Sequence, residues 1–393
     1  MFRSLPAPKL DAILGLMTIF REDPRPEKID LGVGVYKDAA GRTPIMQAVK
    51  AAERRLLEGQ QTKTYVGSAG DAGFNDAMRK LVFGESAEAE RLSVAQTPGG
   101  SGALRLLFDL VRRANESATV WTSRPTWPNH SAIIAAVGLA ERGYRYFDPE
   151  SRAVDFPAML DDLRGAAPGD VVLLHGCCHN PTGANLKPAE WRALADLMLE
   201  RGLVPFVDLA YQGFGDGLDE DAYGVRLMAE SMPEMLVAAS CSKNFGIYRD
   251  RVGAAFALSA AEDKVGTQGA LMTLARTNWS MPPDHGAAVV RMVLEEPELA
   301  AGWRQELEAM RMRMLTLRRG LSDALGRQAH SDRFAFLADH RGMFSLVGAT
   351  PEQVRALREE HAIYIIGDSR MNVAGLPEDR LDKVAQALIA VGL

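Results

Sequence analysis

Lys243 follows two serines in the run Ser240-Cys241-Ser242-Lys243-Asn244-Phe245-Gly246, and Arg251 stands eight residues further on. The run follows Leu236-Val237-Ala238-Ala239, an apolar stretch that reads as a buried strand. An amine held at such a strand end is poorly solvated, which lowers its pKa and frees its lone pair for a carbonyl carbon. Ser240, Ser242 and Arg251 add hydrogen-bond donors and a fixed positive charge suited to a phosphate. A phosphate-bearing carbonyl compound joined to a lysine through a Schiff base describes pyridoxal phosphate. A lysine capping a strand end on a solvated rim accounts for the same run equally well, so other segments must decide.

A pyridoxal site needs a carboxylate that keeps the pyridine nitrogen protonated. Leu203-Val204-Pro205-Phe206-Val207-Asp208 is an apolar strand ending in an acid, 35 residues before Lys243. A carboxylate about 4 Å from a cation gains roughly 4 kcal/mol at an effective dielectric of 20, about three pKa units before desolvation. Taken alone, Asp208 also fits a helix cap or turn residue. A second motif, His175-Gly176-Cys177-Cys178-His179-Asn180-Pro181-Thr182-Gly183, follows the apolar strand Val171-Val172-Leu173-Leu174. Turns at the carboxyl ends of strands are where α/β sheets bind ligands, and Asn180 there offers a donor to a phenolic oxygen. The histidines and cysteines are too crowded to close a metal tetrahedron and lack Cys-x-x-Cys spacing, so no metal is expected. A third motif, Thr97-Pro98-Gly99-Gly100-Ser101-Gly102, opens an apolar pattern at helical spacing, which presents free N–H groups to an anion. It lacks the last glycine of Gly-x-Gly-x-x-Gly and the Gly-Lys-Ser/Thr of a P-loop, which removes nicotinamide and nucleotide-hydrolysing readings.

Together these residues resemble the class I, fold-type I pyridoxal-phosphate aminotransferases, in the aspartate and aromatic subgroup. The resemblance runs from Leu31-Gly32-Val33-Gly34-Val35-Tyr36 through Trp127-Pro128-Asn129-His130 and Asn278-Trp279-Ser280 to Arg370-Met371-Asn372. It implies that Lys243 carries the cofactor and shuttles a proton at the substrate Cα. Asp208 would pair with the pyridine nitrogen with His130 behind it, and Tyr211 and Asn180 would hydrogen-bond the phenolic oxygen. Trp127 would stack on the ring, and Gly100, Ser101, Ser240 and Arg251 would hold the phosphate, joined by Tyr65 of a neighbouring subunit. Arg370 would grip the α-carboxylate, Gly34 would add a backbone donor, and Arg276 of the neighbour would meet a distal carboxylate. A homodimer with sites at the interface follows from the same resemblance, as do cis bonds before Pro125 and Pro181.

Two positions depart from the subgroup. Arg124 precedes Pro125 where asparagine is usual, an extra cation at the interface or rim. Met281 replaces an asparagine often found in the aspartate enzymes, which weakens a polar net near Arg276 and favours aromatic side chains. Gly213-Phe214-Gly215-Asp216-Gly217 and Gly367-Asp368-Ser369-Arg370 also look aromatic-type. The expected reaction moves the amino group of tyrosine, phenylalanine, tryptophan or aspartate to 2-oxoglutarate by a ping-pong route, with strict aspartate transfer as the alternative. Decarboxylation or β-elimination on the same cofactor is a weaker competitor. A regulator on this fold would need a DNA-binding module, and no basic helix-turn-helix pattern is present.

Strands near 119–122, 170–174, 203–207, 235–239 and 253–257 alternate with helical patterns, as in a mostly parallel sheet covered on both faces. The resemblance makes that sheet seven-stranded, in a large cofactor-binding domain over 46–311. A charged amphipathic helix from Trp303 to Gly320 would lead into a smaller α+β domain, formed by 13–45 with 312–393, after an N-terminal arm over 1–12. The 393 residues suffice for two domains. A net charge of −6 disfavours nucleic acid and anionic membranes. Leu10 to Phe20 is too short to span a membrane and reads as an amphipathic helix or docking arm. Three cysteines, two of them adjacent, form no disulfide framework, and the cytoplasm is the expected compartment.

Overall fold

Seven strands hydrogen-bond into one sheet: β1 (Leu92–Pro98), β2 (Thr119–Arg124), β3 (Ala140–Arg145), β4 (Val171–His175), β5 (Val204–Leu209), β6 (Met235–Ser240) and β7 (Val252–Leu258). Their spatial order is β1-β7-β6-β5-β4-β2-β3. Only β7 runs against its neighbours, antiparallel to both β1 and β6, so the other six point the same way. The structure, a computed structural model, describes Phe2 and residues 12–85 and 89–393, with residues 12–14 described by backbone alone. Apart from Phe2 and Ala12, the arm expected over 1–12 lies outside the described residues.

Every residue of β6 and β7 is buried, as continuous apolar runs in a doubly covered sheet should be. Each fully buried valine or leucine contributes about 1.5–3 kcal/mol. Pro205 sits inside β5, where a missing N–H would break a ladder. It pairs with Val172 on β4 but precedes the first β6 partner, Phe206 with Leu236, so the β6 ladder needs no N–H from it. Sequence patterning passed over β1 and β3. β3 reads Ala-Glu-Arg-Gly-Tyr-Arg and is one edge of the sheet, where charged side chains are the usual protection.

A separate core gathers Ile29 and Leu31 with Leu317, Leu321, Leu337, Leu357, Met371 and Leu388. The chain's beginning and end meet there in a parallel pairing of Ile29–Asp30 with Ile363–Tyr364. The helix Ala12–Glu22 lies against this region through the Phe20 ring, edge-on to Tyr364 at 5.1 Å.

One helix spans Pro297–Ala329, 33 residues and roughly 50 Å, longer at both ends than the Trp303–Gly320 expected. Pro297 opens it at a position that tolerates proline. Gly320 does not stop it: a Cβ there would fall 2.6 Å from Leu381, so the glycine permits close helix packing. No helix among the described residues is long and apolar enough to cross a membrane.

Candidate active site

Because six strands are codirectional, the carboxyl ends of β1, β2, β4, β5 and β6 share one edge of the sheet. There they surround a cavity of about 300 Å³. Asp208 comes from the end of β5, His175 from β4, Ser240 from β6, and Trp127 and Gly100 from the turns after β2 and β1. Gly34, Phe344 and Arg370 close it from segments near the chain's two ends. One cavity therefore gathers Gly34, Gly100, Ser101, Trp127, Asn180, Asp208, Tyr211, Ser240, Lys243, Arg251 and Arg370, residues spread over more than 330 positions.

Asp208 accepts from His130 Nε2 at 3.0 Å, and His130 Nδ1 meets Thr126 Oγ1 at 2.8 Å. Thr126 Oγ1 is also 3.3 Å from His175 Nε2, so the chain of polar contacts continues beneath the cavity. Burial pushes the Asp208 carboxyl up, but the His130 hydrogen bond and nearby positive charge, Lys243 included, outweigh it and hold it below the usual range. His175 is held neutral, its pKa pulled to about 3 by burial and by His130. A fixed anion at the floor can meet a cationic ring nitrogen.

The Lys243 ammonium is drawn below its ordinary pKa by burial and by Arg251, with Asp208 opposing. Its Nζ lies 5.0 Å from the centre of the Tyr211 ring, and burial raises the Tyr211 phenol. The loop bearing the lysine is fastened from behind. Phe245 stacks on Trp303 of the long helix at 4.6 Å, and Trp303 Nε1 donates to Asn244 O at 2.7 Å.

The helix Gly99–Ala114 aims its N-terminus at the same cavity, with Gly100 and Ser101 lining it. A Cβ on Gly99, whose φ is +73°, would fall 2.5 Å from Arg251 Nη2, and one on Gly100 would fall 3.0 Å from Ser240 Cβ. Glycine there lets the guanidinium and the serine approach free backbone N–H groups, which makes an anion cradle. Arg251 itself donates to Tyr248 O at 2.9 Å and has no carboxylate in ion-pair reach among the described residues.

Arg370 is 5% exposed, and burial lowers its pKa. Its Nη1 donates to Asn180 Oδ1 at 3.2 Å, its Nη2 reaches Gly32 O at 3.4 Å, and its Nε is buried without a partner. A buried, unpartnered donor on a cation facing a cavity is a site for an anion.

Tyr65 and Arg276 do not line this cavity. Tyr65 is 88% exposed, and exposed Arg276 donates to Ser280 Oγ at 2.8 Å. The segment of Tyr65 nevertheless meets the turn after the Arg276 helix, because Val66 N–H donates to Met281 Sδ at 3.1 Å. Arg124 is paired with Glu141 at 3.2 Å, beside a cis bond to Pro125; the bond before Pro181 is also cis. Cys177, Cys178 and Asp221 cluster below the site, but burial raises both thiols and the Asp221 oxygens already accept from Gly213, Gly215 and Asp216.

Sequence reasoning missed Tyr248, Phe344, His175 as a lining residue, and Trp303. Tyr248 was within reach, five residues after the lysine; Phe344 carried no motif signal at all.

The family model for aminotransferase class I and II matches residues 26–388. The chain is 54% identical over 384 residues to the aromatic-amino-acid aminotransferase of Paracoccus denitrificans, covering 98% of each. It is 44% identical to the aspartate aminotransferase of Escherichia coli (strain K12), covering 100% of each. A solved aromatic-amino-acid aminotransferase from Burkholderia pseudomallei, covalently bound to pyridoxal phosphate, superposes with a TM-score of 0.97 at 40% identity, covering 100% of this chain and 99% of that one.

Proposed function

The chain belongs to the class I and II aminotransferase family, and on that premise we propose that it moves the amino group of aromatic L-amino acids, and of aspartate, to 2-oxoglutarate with pyridoxal phosphate. The observation that carries this reading is the single cavity that sets Lys243, Asp208, the Gly100–Arg251 anion cradle and the unpartnered Arg370 around one another. That donor set fits the cofactor: Asp208 for the pyridine nitrogen, Gly100, Ser101, Ser240 and Arg251 for the phosphate, Tyr211 and Asn180 for the phenolic oxygen, Trp127 for the ring face. Bound there, pyridoxal phosphate supplies a carbonyl for amine exchange and a ring that takes up the electron pair left at the substrate Cα.

The protein's residues do the rest. Arg370 binds the α-carboxylate through donors that no protein acceptor occupies, which fixes the Cα–H bond relative to Lys243. Lys243, with its lowered pKa, takes that proton as a free amine and would return it two atoms away, on the far side of the amino nitrogen. Asp208 keeps its charge through the cycle because His130 holds it ionised. Gly34 and Phe344 cover the cavity and limit water as the 13–45 and 312–393 domain closes on the 46–311 domain.

Tyr65 and Arg276 act in a partner copy's cavity, which makes the working form a homodimer. Their exposure on one chain and the Val66–Met281 contact between their segments support this assignment. Arg276 then meets the distal carboxylate of aspartate or 2-oxoglutarate, and apolar Met281 beside it favours aromatic side chains. The free, buried cysteines support a cytoplasmic setting. The test is Arg276→Ala assayed with both amino donors: the loss in kcat/KM should reach about 100-fold with aspartate and stay within about threefold with phenylalanine. Equal losses would remove Arg276 from side-chain recognition.

A further inference from the structure

Arg318 is 1% exposed in the middle of the 297–329 helix, with no carboxylate in ion-pair reach among the described residues. A buried cation answered only by dipoles costs stability that an apolar side chain would not. All its donors go to one stretch. Nη2 donates to Phe344 O at 2.7 Å and Gly342 O at 2.8 Å, and Nη1 to Ser345 Oγ at 2.8 Å and Leu337 O at 3.2 Å. The Phe344 carbonyl is also confined from the opposite side, since a Cβ on Gly183 would fall 2.3 Å from it.

Phe344 faces the cavity. The Arg370 guanidinium lies 4.4 Å from the centre of its ring, within cation–π range, and the Tyr211 ring stands edge-on to it at 6.2 Å. Phe344–Leu346 also pairs antiparallel with Arg370–Asn372, so the same strand sets the backbone of Arg370. We propose that Arg318 is a positioning residue for carboxylate recognition: by gripping the Phe344 backbone it holds the ring beneath Arg370, and so keeps the guanidinium level with its Nε free. The proposal rests on the reading of Arg370 as the α-carboxylate grip.

The test compares Arg318→Lys, Phe344→Leu and their double variant, each loaded with cofactor, in calorimetric binding of 3-phenylpropionate, a carboxylate without an amine. Each single change raises its Kd about 10- to 30-fold. In Arg318→Lys cofactor affinity and kcat for phenylalanine stay within about threefold, and the double variant binds no worse than the weaker-binding single, because both changes break one path. Additive losses, or a lower Tm and weaker cofactor binding with an unchanged Kd, overturn the proposal. If Arg318→Lys does not fold, Ser345→Ala, which removes one Arg318 acceptor, shows the same pattern at about three- to tenfold; an unchanged Kd there overturns it. Arg370→Lys is the reference. An unchanged Kd in that variant removes the reading of Arg370 and the proposal with it, whereas an Arg370 effect without an Arg318 or Phe344 effect overturns the proposal alone.

Discussion

At the Asp208 end of the cavity, the acid, His130 and Thr126 answer one another within 3.0 Å. At the Arg370 end, a buried cation keeps an unpartnered Nε and two longer contacts of 3.2 and 3.4 Å. The first end stands on the central strands of the sheet, and the second on a three-residue strand of the other core. A group that must hold one charge state throughout a reaction cycle is satisfied by protein. A group that must receive and release a ligand carboxylate is left loosely satisfied by protein, with one donor unpartnered and two long contacts. The difference between a resident and a visitor is thus written in hydrogen bonding.

The strongest way to break this comparison is at the reacting amine between the two ends. Lys243→Ala should cut single-turnover amine transfer about 10⁴-fold or more while far-ultraviolet dichroism is unchanged. A loss under tenfold would assign the proton to another base. At the open end, Arg370→Gln should lower kcat/KM about 100-fold for phenylalanine and aspartate alike, since both present the same α-carboxylate. A loss confined to one donor would mean that Arg370 reads side chains.

At the satisfied end, His130→Ala removes a hydrogen bond that, together with nearby positive charge, outweighs burial at Asp208, so the carboxyl pKa should rise. The acid limb of the kcat profile then moves to higher pH, with activity lost at its foot. An unmoved limb would make His130 a packing residue only. The smallest effect is on stability. His175 and His340 are held to about 3 and about 4 by burial, below the ordinary 6.5. Between those values the unfolded chain binds more protons than the native one, so their contribution is full above pH 6.5 and falls as pH drops toward 4. His340→Gln should flatten part of that decline in a denaturant series across pH; an unchanged slope would place the titration elsewhere.

The satisfied end was the more legible in sequence. Asp208, Asn180 and Ser240 sit where apolar runs stop, and a buried parallel strand announces its own end. Lys243 and the Gly99–Ser101 turn were legible for the same reason. Arg370 had no strand to announce it and came from the family resemblance. Phe344, Arg318 and Trp303 were invisible because their roles arise from packing between distant segments, such as the 59 residues between Asn244 and Trp303. Patterning misjudged elements where polarity and structure diverge. The edge strand Ala140–Arg145 is too charged to read as a strand, and Gly320 looks like a helix stop although it serves a close contact with Leu381. Arg124, left between interface and rim by sequence, is committed to Glu141.

The most direct test of the account is kcat/KM of the cofactor-loaded protein for phenylalanine and for aspartate, with 2-oxoglutarate as the common acceptor. Values within about tenfold of each other are predicted, as the proposed sharing of roles between Met281 and the Arg276 charge requires. A preference for aspartate above about a thousandfold, roughly 4 kcal/mol of differential transition-state binding, would contradict it.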